Sequence, residues 1–276
     1  MLKKKFIEEL IAEDIGRGDL FSRVTNSEDI EAFILAKSDG LFAGREYIDA
    51  LLDNFKLKAL WRVRDGSKFK AGDRLIFIRG DSRDILSLER SILNIALHAS
   101  SIATLTAKYL DRISPYGVKL LDTRKTRPLL REFEKYAVRC GGGINHRMGL
   151  DDCLMLKDTH LSTINNLKDY ISKAREKIPF TSKIEVECES IEMVKRAMLS
   201  GADIIMCDNM SVDEIGEVVD YRDREYPHIL LEASGNITLE NIEEFAKSGV
   251  DAISTGAIIH QANWIDLSMK IEPKIL

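Results

Sequence analysis

The chain has 276 residues, 45% hydrophobic and 31% charged, with a formal net charge of −5. It can bury one large core or two small ones, and its negative balance offers no footprint for nucleic acid or an anionic membrane. Cys140, Cys153, Cys188 and Cys207 show no CxxC spacing, which excludes a zinc ribbon or disulfide framework and predicts reduced thiols in the cytoplasm.

In chain order, Phe6, Ile7, Leu10 and Ile11 mark one face of a short helix, and Glu8 and Glu9 interrupt any signal-peptide core. No apolar run is long enough to span a bilayer. AFILAKSDG, LWRVRDG and KAGDRLIFIRGD read as strands meeting turns. LSLERSILNIALHASSIATLTAKYLDRI is a long helical pattern with Leu88, Ile92, Ile95 and Ala99 on one face. This is an α+β region without a phosphate loop.

From about residue 118 the rhythm changes. VKLLDT, CLMLKDT, KIEVECE, DIIMCDN, ILLEASG and DAISTG are short apolar runs, separated by helical stretches such as SIEMVKRAMLSGA and TLENIEEFAKSGV. Both helical stretches close on glycine, as a helix C-terminus favours. Strands alternating with helices predict βαβ units and a parallel sheet. A barrel with fewer than eight strands is expected, with an open doubly wound sheet as the alternative.

A polar or charged residue closes each run. These are Asp122 with Arg124 and Lys125, Lys157 with Asp158, Glu187, Asp208, Glu232 with Ser234, and Ser254 with Gly256. In a barrel all such ends converge on the C-terminal rim, where barrel active sites lie. Between the first two runs stands CGGGINHR, residues 140–147, whose glycine spacing fits neither a dinucleotide fingerprint nor a P-loop. Arg124, Lys125, His146, Arg147 and Lys157 bring positive charge suited to carboxylates or phosphates. Glu187 and Asp208 suit Mg²⁺, which one or two acids hold together with substrate phosphates. The turns at 234–236 and 254–256 offer backbone N–H groups for a phosphate.

Glu187 is taken as the site acid, and strand alternation is read as turning Glu185 away. Arg131, Glu134 and Lys135 are read as a solvated helix face, and His98 and His228 as structural. His160 and His260 sit at strand–loop ends with less support than His146.

DTRKTRPLLREFEKYAVRCGGGINHRMGLDDCLMLKDTHL, residues 122–161, resembles the signature region of quinolinate phosphoribosyltransferases. GDL near residue 19, LERSILNIALHASSIATLT, IEVE, CDNMS, LEASGNI and STGAIIH extend the resemblance along nearly the whole chain. The family more often has KDNH where this chain has Thr159, and Arg127 and Leu129 depart from a common Thr-Pro-Gly pattern around Pro128. The resemblance implies an α/β fold with an N-terminal α/β sandwich domain over 1–112 and an incomplete (βα) barrel over 113–262. Residues 263–276 are expected to return to the N-terminal domain. It also implies a homodimer with shared active sites, acting on quinolinate and phosphoribosyl pyrophosphate with Mg²⁺.

By the same resemblance, Arg124, Arg147 and Lys157 hold the carboxylates of quinolinate with His146 beside them, and Arg90 arrives from the other subunit. Lys125 lies near the phosphoribosyl donor, and Thr123 is counted among the substrate-binding residues. Glu187 and Asp208 serve the ribose and metal, and Ser234, Gly235, Asn236, Thr255 and Gly256 seat the 5′-phosphate. Lys125, Lys157, Glu187 and Asp208 are the expected catalytic group. The glycine run is expected to let a tight loop aim His146 and Arg147 at a dianionic ring. Two alternatives stay open: an oxyanion-binding, molybdenum-associated paralogue, and a Schiff-base barrel aldolase using Lys157.

Overall fold

The computed structural model describes residues 2–272. Helix α1 (Leu2–Ile15) is followed by α2 (Leu20–Val24), whose N-cap Asp19 accepts from the backbone N–H groups of Phe21 and Ser22. Then come β1 (Asp29–Ala36), β2 (Gly40–Leu41), α3 (Arg45–Asn54), β3 (Lys58–Trp61), β4 (Lys68–Phe69), β5 (Arg74–Asp81) and the long α4 (Ser82–Ile113). β5 pairs antiparallel with β1 and β3. The N-terminus of α3 is satisfied through Asp65, whose Oδ1 accepts from the N–H groups of Gly44 and Arg45 at 3.1 and 3.2 Å. The Tyr136 hydroxyl donates to the other Asp65 oxygen at 2.5 Å.

Tyr136 lies on α5 (Arg131–Cys140), where one sequence expectation is overturned. Glu134 and Lys135 are fully buried, so this is not a solvated face. Only Glu132 and Arg139 of this helix are well exposed. Glu134 meets His98 of α4, with Nε2 2.9 Å from Oε1, so His98 and Glu134 satisfy each other in the interior. A charged residue is sequence-polar wherever it sits, and only packing reveals an inward-facing partner.

The glycine run follows α5. A Cβ on Gly141 would lie 2.6 Å from both the Ala103 carbonyl oxygen and the Thr106 Cβ of α4. Gly142 takes φ +90°, a conformation that favours glycine. At Gly141, therefore, the missing side chain serves the approach of α5 to α4, not the approach of a ligand.

The second sheet contains β6 (Lys119–Leu121), β7 (Leu154–Leu156), β8 (Ile184–Cys188), β9 (Ile204–Asp208), β10 (Leu230–Ser234) and β11 (Ala252–Ser254). The intervening helices are α6 (Asp158–Leu161), α7 (Leu167–Arg175), α8 (Ile191–Leu199), α9 (Val212–Glu225) and α10 (Ile242–Lys247), with α11 (Ala257–His260) after β11. The strand order is β6-β11-β10-β9-β8-β7, and every pairing is parallel. From β7 to β11 each strand pairs with its successor, and β11 pairs with β6. This order has no reversal point, so it is not a doubly wound sheet. It is an incomplete barrel whose seam falls between β6 and β7, where a lone bridge joins Leu121 and Ile144. All five residues of β8 are buried, as expected for a strand covered on both faces.

At the N-terminal ends of these strands, Arg222 of α9 donates from Nη1 to the Ile229 carbonyl at 3.0 Å and to Asp251 Oδ2 at 2.7 Å. Asp251 Oδ2 also accepts the Leu231 N–H at 2.7 Å. This end is closed by structural ion pairing, which leaves the opposite rim for chemistry.

The last strand, β12 (Leu267–Ile271), pairs antiparallel with β1 and completes the order β12-β1-β5-β3. Of the expected C-terminal segment, residues 273–276 lie outside the described residues. The chain divides into two compact units. One comprises Met1–Ala107, Pro128–Gly142 and Gln261–Leu276, and the other Lys108–Arg127 and Gly143–His260.

The glycines give a stability test of opposite signs. Gly141→Ala forces backbone apart and should lower unfolding free energy by about 2–4 kcal/mol. Gly216 lies within α9, and a Cβ placed there would meet nothing within 4 Å. Gly216→Ala should therefore raise stability by about 0.5–1 kcal/mol through helix propensity. Urea midpoints of the two variants check both signs.

Candidate active site

Parallel pairing places the strand ends together. Asp208 pairs with Ser234, Glu187 with Met206, Leu156 with Val186, and Ser254 with Leu121. Lys157 follows Leu156, Thr123 to Lys125 follow β6, and Thr255 and Gly256 follow β11. These expected residues therefore share the C-terminal rim of the second unit. A Cβ on Gly256 would lie 3.2 Å from the Lys125 Cβ, so the first and last strand ends approach closely there. Arg90 lies exposed on α4, in the first unit.

Asp122 is fully buried and organises the segment after the glycine run. Its Oδ1 accepts the His146 N–H at 2.8 Å, and Oδ2 accepts the Asn145 amide at 2.5 Å. His146 Nε2 consequently lies 3.2 Å from Glu232 Oε2 and 3.4 Å from Glu185 Oε2. The neighbouring Arg147 is 8% exposed and donates to the Cys153 carbonyl at 3.0 Å. Lys157 donates from Nζ to Glu187 Oε2.

The assignment of Glu185 to the opposite side is therefore corrected. Side chains alternate with a period of two, so residues 185 and 187 share one face of β8. Both reach cations of this unit: Glu185 meets His146, and Glu187 meets Lys157. Glu232 stands at a strand end in the sequence with no role assigned to it, although an acid within the apolar run LLEAS is the available signal.

His146, Glu185 and Glu232 hold candidate ligand atoms within 4.8 Å of one another, close enough for a metal ion. The second ring nitrogen argues for another state. The Arg147 backbone N–H donates to His146 Nδ1 at 2.7 Å, which leaves the ring proton on Nε2, directed at the two carboxylates. Burial opposes a charged His146, but hydrogen bonds to Glu185 and Glu232 outweigh it and raise its pKa to about 10. Burial also raises Glu185, against the pull of His146. The ring and the acids are one coupled unit that retains an extra proton at neutral pH. That proton belongs to the unit as a whole and not to one residue. The unit then carries one negative charge beside the Arg147 guanidinium.

Elsewhere on the rim, the Thr255 hydroxyl donates to the Ile237 carbonyl at 3.0 Å and accepts the Ala257 N–H at 3.2 Å. It therefore shapes the 254–256 turn from within. Thr123 Oγ1 accepts the Lys125 N–H at 3.0 Å and bends the chain after β6. Arg124 and Lys125 are exposed and present their charge outward.

The quinolinate phosphoribosyl transferase C-terminal domain matches residues 102–270, and the N-terminal domain of the same family matches residues 19–100. The chain belongs to the quinolinate phosphoribosyl transferase family. A family relative from Methanothermobacter thermautotrophicus, named a probable nicotinate-nucleotide pyrophosphorylase (carboxylating), is 38% identical over 96% of this chain and 97% of its own length. A Mycobacterium leprae protein named nicotinate-nucleotide pyrophosphorylase (carboxylating) is 34% identical over 86% of this chain and 85% of its own. The solved nicotinate-nucleotide pyrophosphorylase of Francisella tularensis superposes with a TM-score of 0.91 at 35% identity, covering 98% of this chain and 96% of that one. The sandwich-plus-barrel fold expected of a quinolinate phosphoribosyl transferase is thus the fold of this chain.

The raised His146 pKa sets a sign for pH dependence. Its stabilisation is complete below the unfolded value of 6.5 and is lost as pH rises toward the folded value of about 10. The raised Glu185 acts with the same sign. Between pH 7 and 8, unfolding free energy should fall by up to about 1.4 kcal/mol, the equivalent of one proton. Glu232→Gln removes one of the two carboxylates that raise His146 and should flatten the slope. Urea unfolding at both pH values, for wild type and variant, checks this.

Proposed function

We infer that the protein transfers the phosphoribosyl group of phosphoribosyl pyrophosphate to quinolinate with decarboxylation. The products are nicotinate mononucleotide, pyrophosphate and CO₂, a step of NAD biosynthesis. The observation that carries this is the match to both domains of one family, with 38% identity to a carboxylating nicotinate-nucleotide pyrophosphorylase over nearly the full length. The rim chemistry supports it. Arg124, Arg147 and Lys157 suit two carboxylates on a small ring, and residues 234–236 and 255–256 suit a phosphate. The Schiff-base alternative gains no support, because the Lys157 side chain is 40% exposed and bonded to Glu187, not desolvated in an apolar pocket.

The pyridine nitrogen carries a lone pair and attacks the anomeric carbon directly. The new N–C bond forms as the C–O bond to pyrophosphate breaks, and no strong base is required. Glu187 and Asp208 face the positive charge that develops on the ribose. Lys125 and Lys157 offset the charge of donor and leaving group. The bond between the ring and its 2-carboxylate then breaks, leaving an electron pair beside the cationic nitrogen until a proton arrives from solvent. Orientation and exclusion of water are the protein's main part.

Glu187 and Asp208 are hard oxygen donors on adjacent parallel strands, a donor set that fits Mg²⁺. When bound, Mg²⁺ would supply charge neutralisation at the pyrophosphate. Arg90 is exposed on α4 and is proposed to complete the partner's site in a homodimer. All four cysteines are free thiols, which supports a cytoplasmic setting.

Incubation with quinolinate, donor and Mg²⁺ should yield CO₂ and nicotinate mononucleotide. Nicotinate should be turned over at least about 100-fold more slowly, because it leaves partly buried cations unpaired. Comparable use of both acids would defeat the dicarboxylate reading. Arg90→Ala and Lys157→Ala should each be nearly inactive. Subunit exchange between them should restore activity, since one site of each hybrid would carry neither lesion. Verified hybrids without activity would show that Arg90 does not serve the partner's site.

A further inference from the structure

We propose that Asn209 is a positioning residue that couples Asp208 to the 234–236 turn, so that the metal-and-ribose acid and the 5′-phosphate seat form one donor-binding unit. The inference rests on the function proposed above, and deepens it.

Asn209 directly follows β9 and Asp208, and its backbone stands at φ +56°. Asparagine tolerates this left-handed conformation better than most residues, but it still costs local energy. The backbone N–H donates to the Ser234 carbonyl at 3.0 Å. The side chain works in two directions. Nδ2 donates to Asp208 Oδ2 at 2.7 Å, and Oδ1 accepts from Asn236 Nδ2 at 3.0 Å. A carboxylate can only accept, so Asp208 fixes which end of the amide faces it, and Asn236 takes the other end.

The turn is built around this amide. A Cβ on Gly235 would lie 2.3 Å from Asn209 Oδ1 and 2.6 Å from its backbone nitrogen. Gly235 has φ +90° and Asn236 has φ +50°. Beyond them, Asn241 Nδ2 donates to the Asn236 carbonyl at 3.1 Å, and Asn241 Oδ1 accepts the Thr238 N–H at 2.8 Å. Three left-handed residues, one side-chain hydrogen bond and one backbone hydrogen bond therefore lock the end of β9 to the end of β10. Asn209 and Asn236 are themselves exposed, where such bonds add little to folding. Strain held at an exposed rim by a side-chain relay points to a role in placing a ligand.

Asn209→Gly separates the backbone from the amide. Glycine accepts φ +56° without strain and removes both hydrogen bonds. The expected result is about a tenfold rise in KM for phosphoribosyl pyrophosphate, with a parallel rise in the Mg²⁺ concentration for half-maximal activity. KM for quinolinate and the melting temperature should stay near wild type. Asn236→Gly should give a smaller rise in donor KM. The double variant should be no worse than Asn209→Gly, because the two amides act in series. Asn209→Asp keeps the acceptor for Asn236 but sets a second carboxylate against Asp208, and should impair donor binding at least as much as glycine. An unchanged donor KM in an active, folded Asn209→Gly enzyme would overturn the inference. Equal rises in both KM values with a lowered melting temperature would overturn it too, by marking a structural role. A wild-type enzyme that leaves quinolinate untouched would remove the functional reading and this inference with it.

Discussion

The constraint on which the rest of the barrel unit depends is the unbroken parallel order of its six strands. Each strand from β7 to β11 pairs with its successor, and β11 pairs with β6. Parallel strands carry all their carboxyl ends to one rim. Residues from 122 to 256 thus meet there although far apart in sequence. The same order sends all amino ends to the opposite rim, where Arg222 and Asp251 bind backbone groups of the β10 and β11 entries. One end is held by structural pairing, and the other gathers the candidate site residues.

Buried charge is balanced group against group. Glu185 and Glu232 share His146 beside Arg147, Lys157 binds Glu187, and Asp122 satisfies the loop that carries His146. Leaving Asp122, Glu185 or Glu232 unpaired in the interior would cost several kcal/mol, whereas Lys157 is partly exposed and its pairing matters less. In the function proposed above, an anionic substrate exchanges partners with groups already paired, and its two carboxylates must match the cations they engage.

Glycine and asparagine mark where the backbone is pressed hardest. Gly141 is shaped by the crossing of α5 and α4, and Gly235 by the Asn209 amide. Each glycine motif was legible in the sequence, but its neighbour was not. The CGGGINHR run suggested a ligand as that neighbour, whereas at Gly141 it is a helix. Glycine records that something is close without recording what.

The sequence by itself determined the order of the strands and helices, because burial on both faces leaves short apolar runs and glycine-ended helices are visible locally. It also determined the residues at the strand ends, and its motifs indicated the family. Only the tertiary structure decided the partners of charged side chains. Glu134 and Lys135 looked solvated and are buried, and Glu185 belongs with Glu187 and Glu232 inside the barrel unit. The physical reason is range. Helix and strand periodicity is set by neighbours a few residues apart, whereas a buried charge is fixed by groups brought together only when the chain has folded.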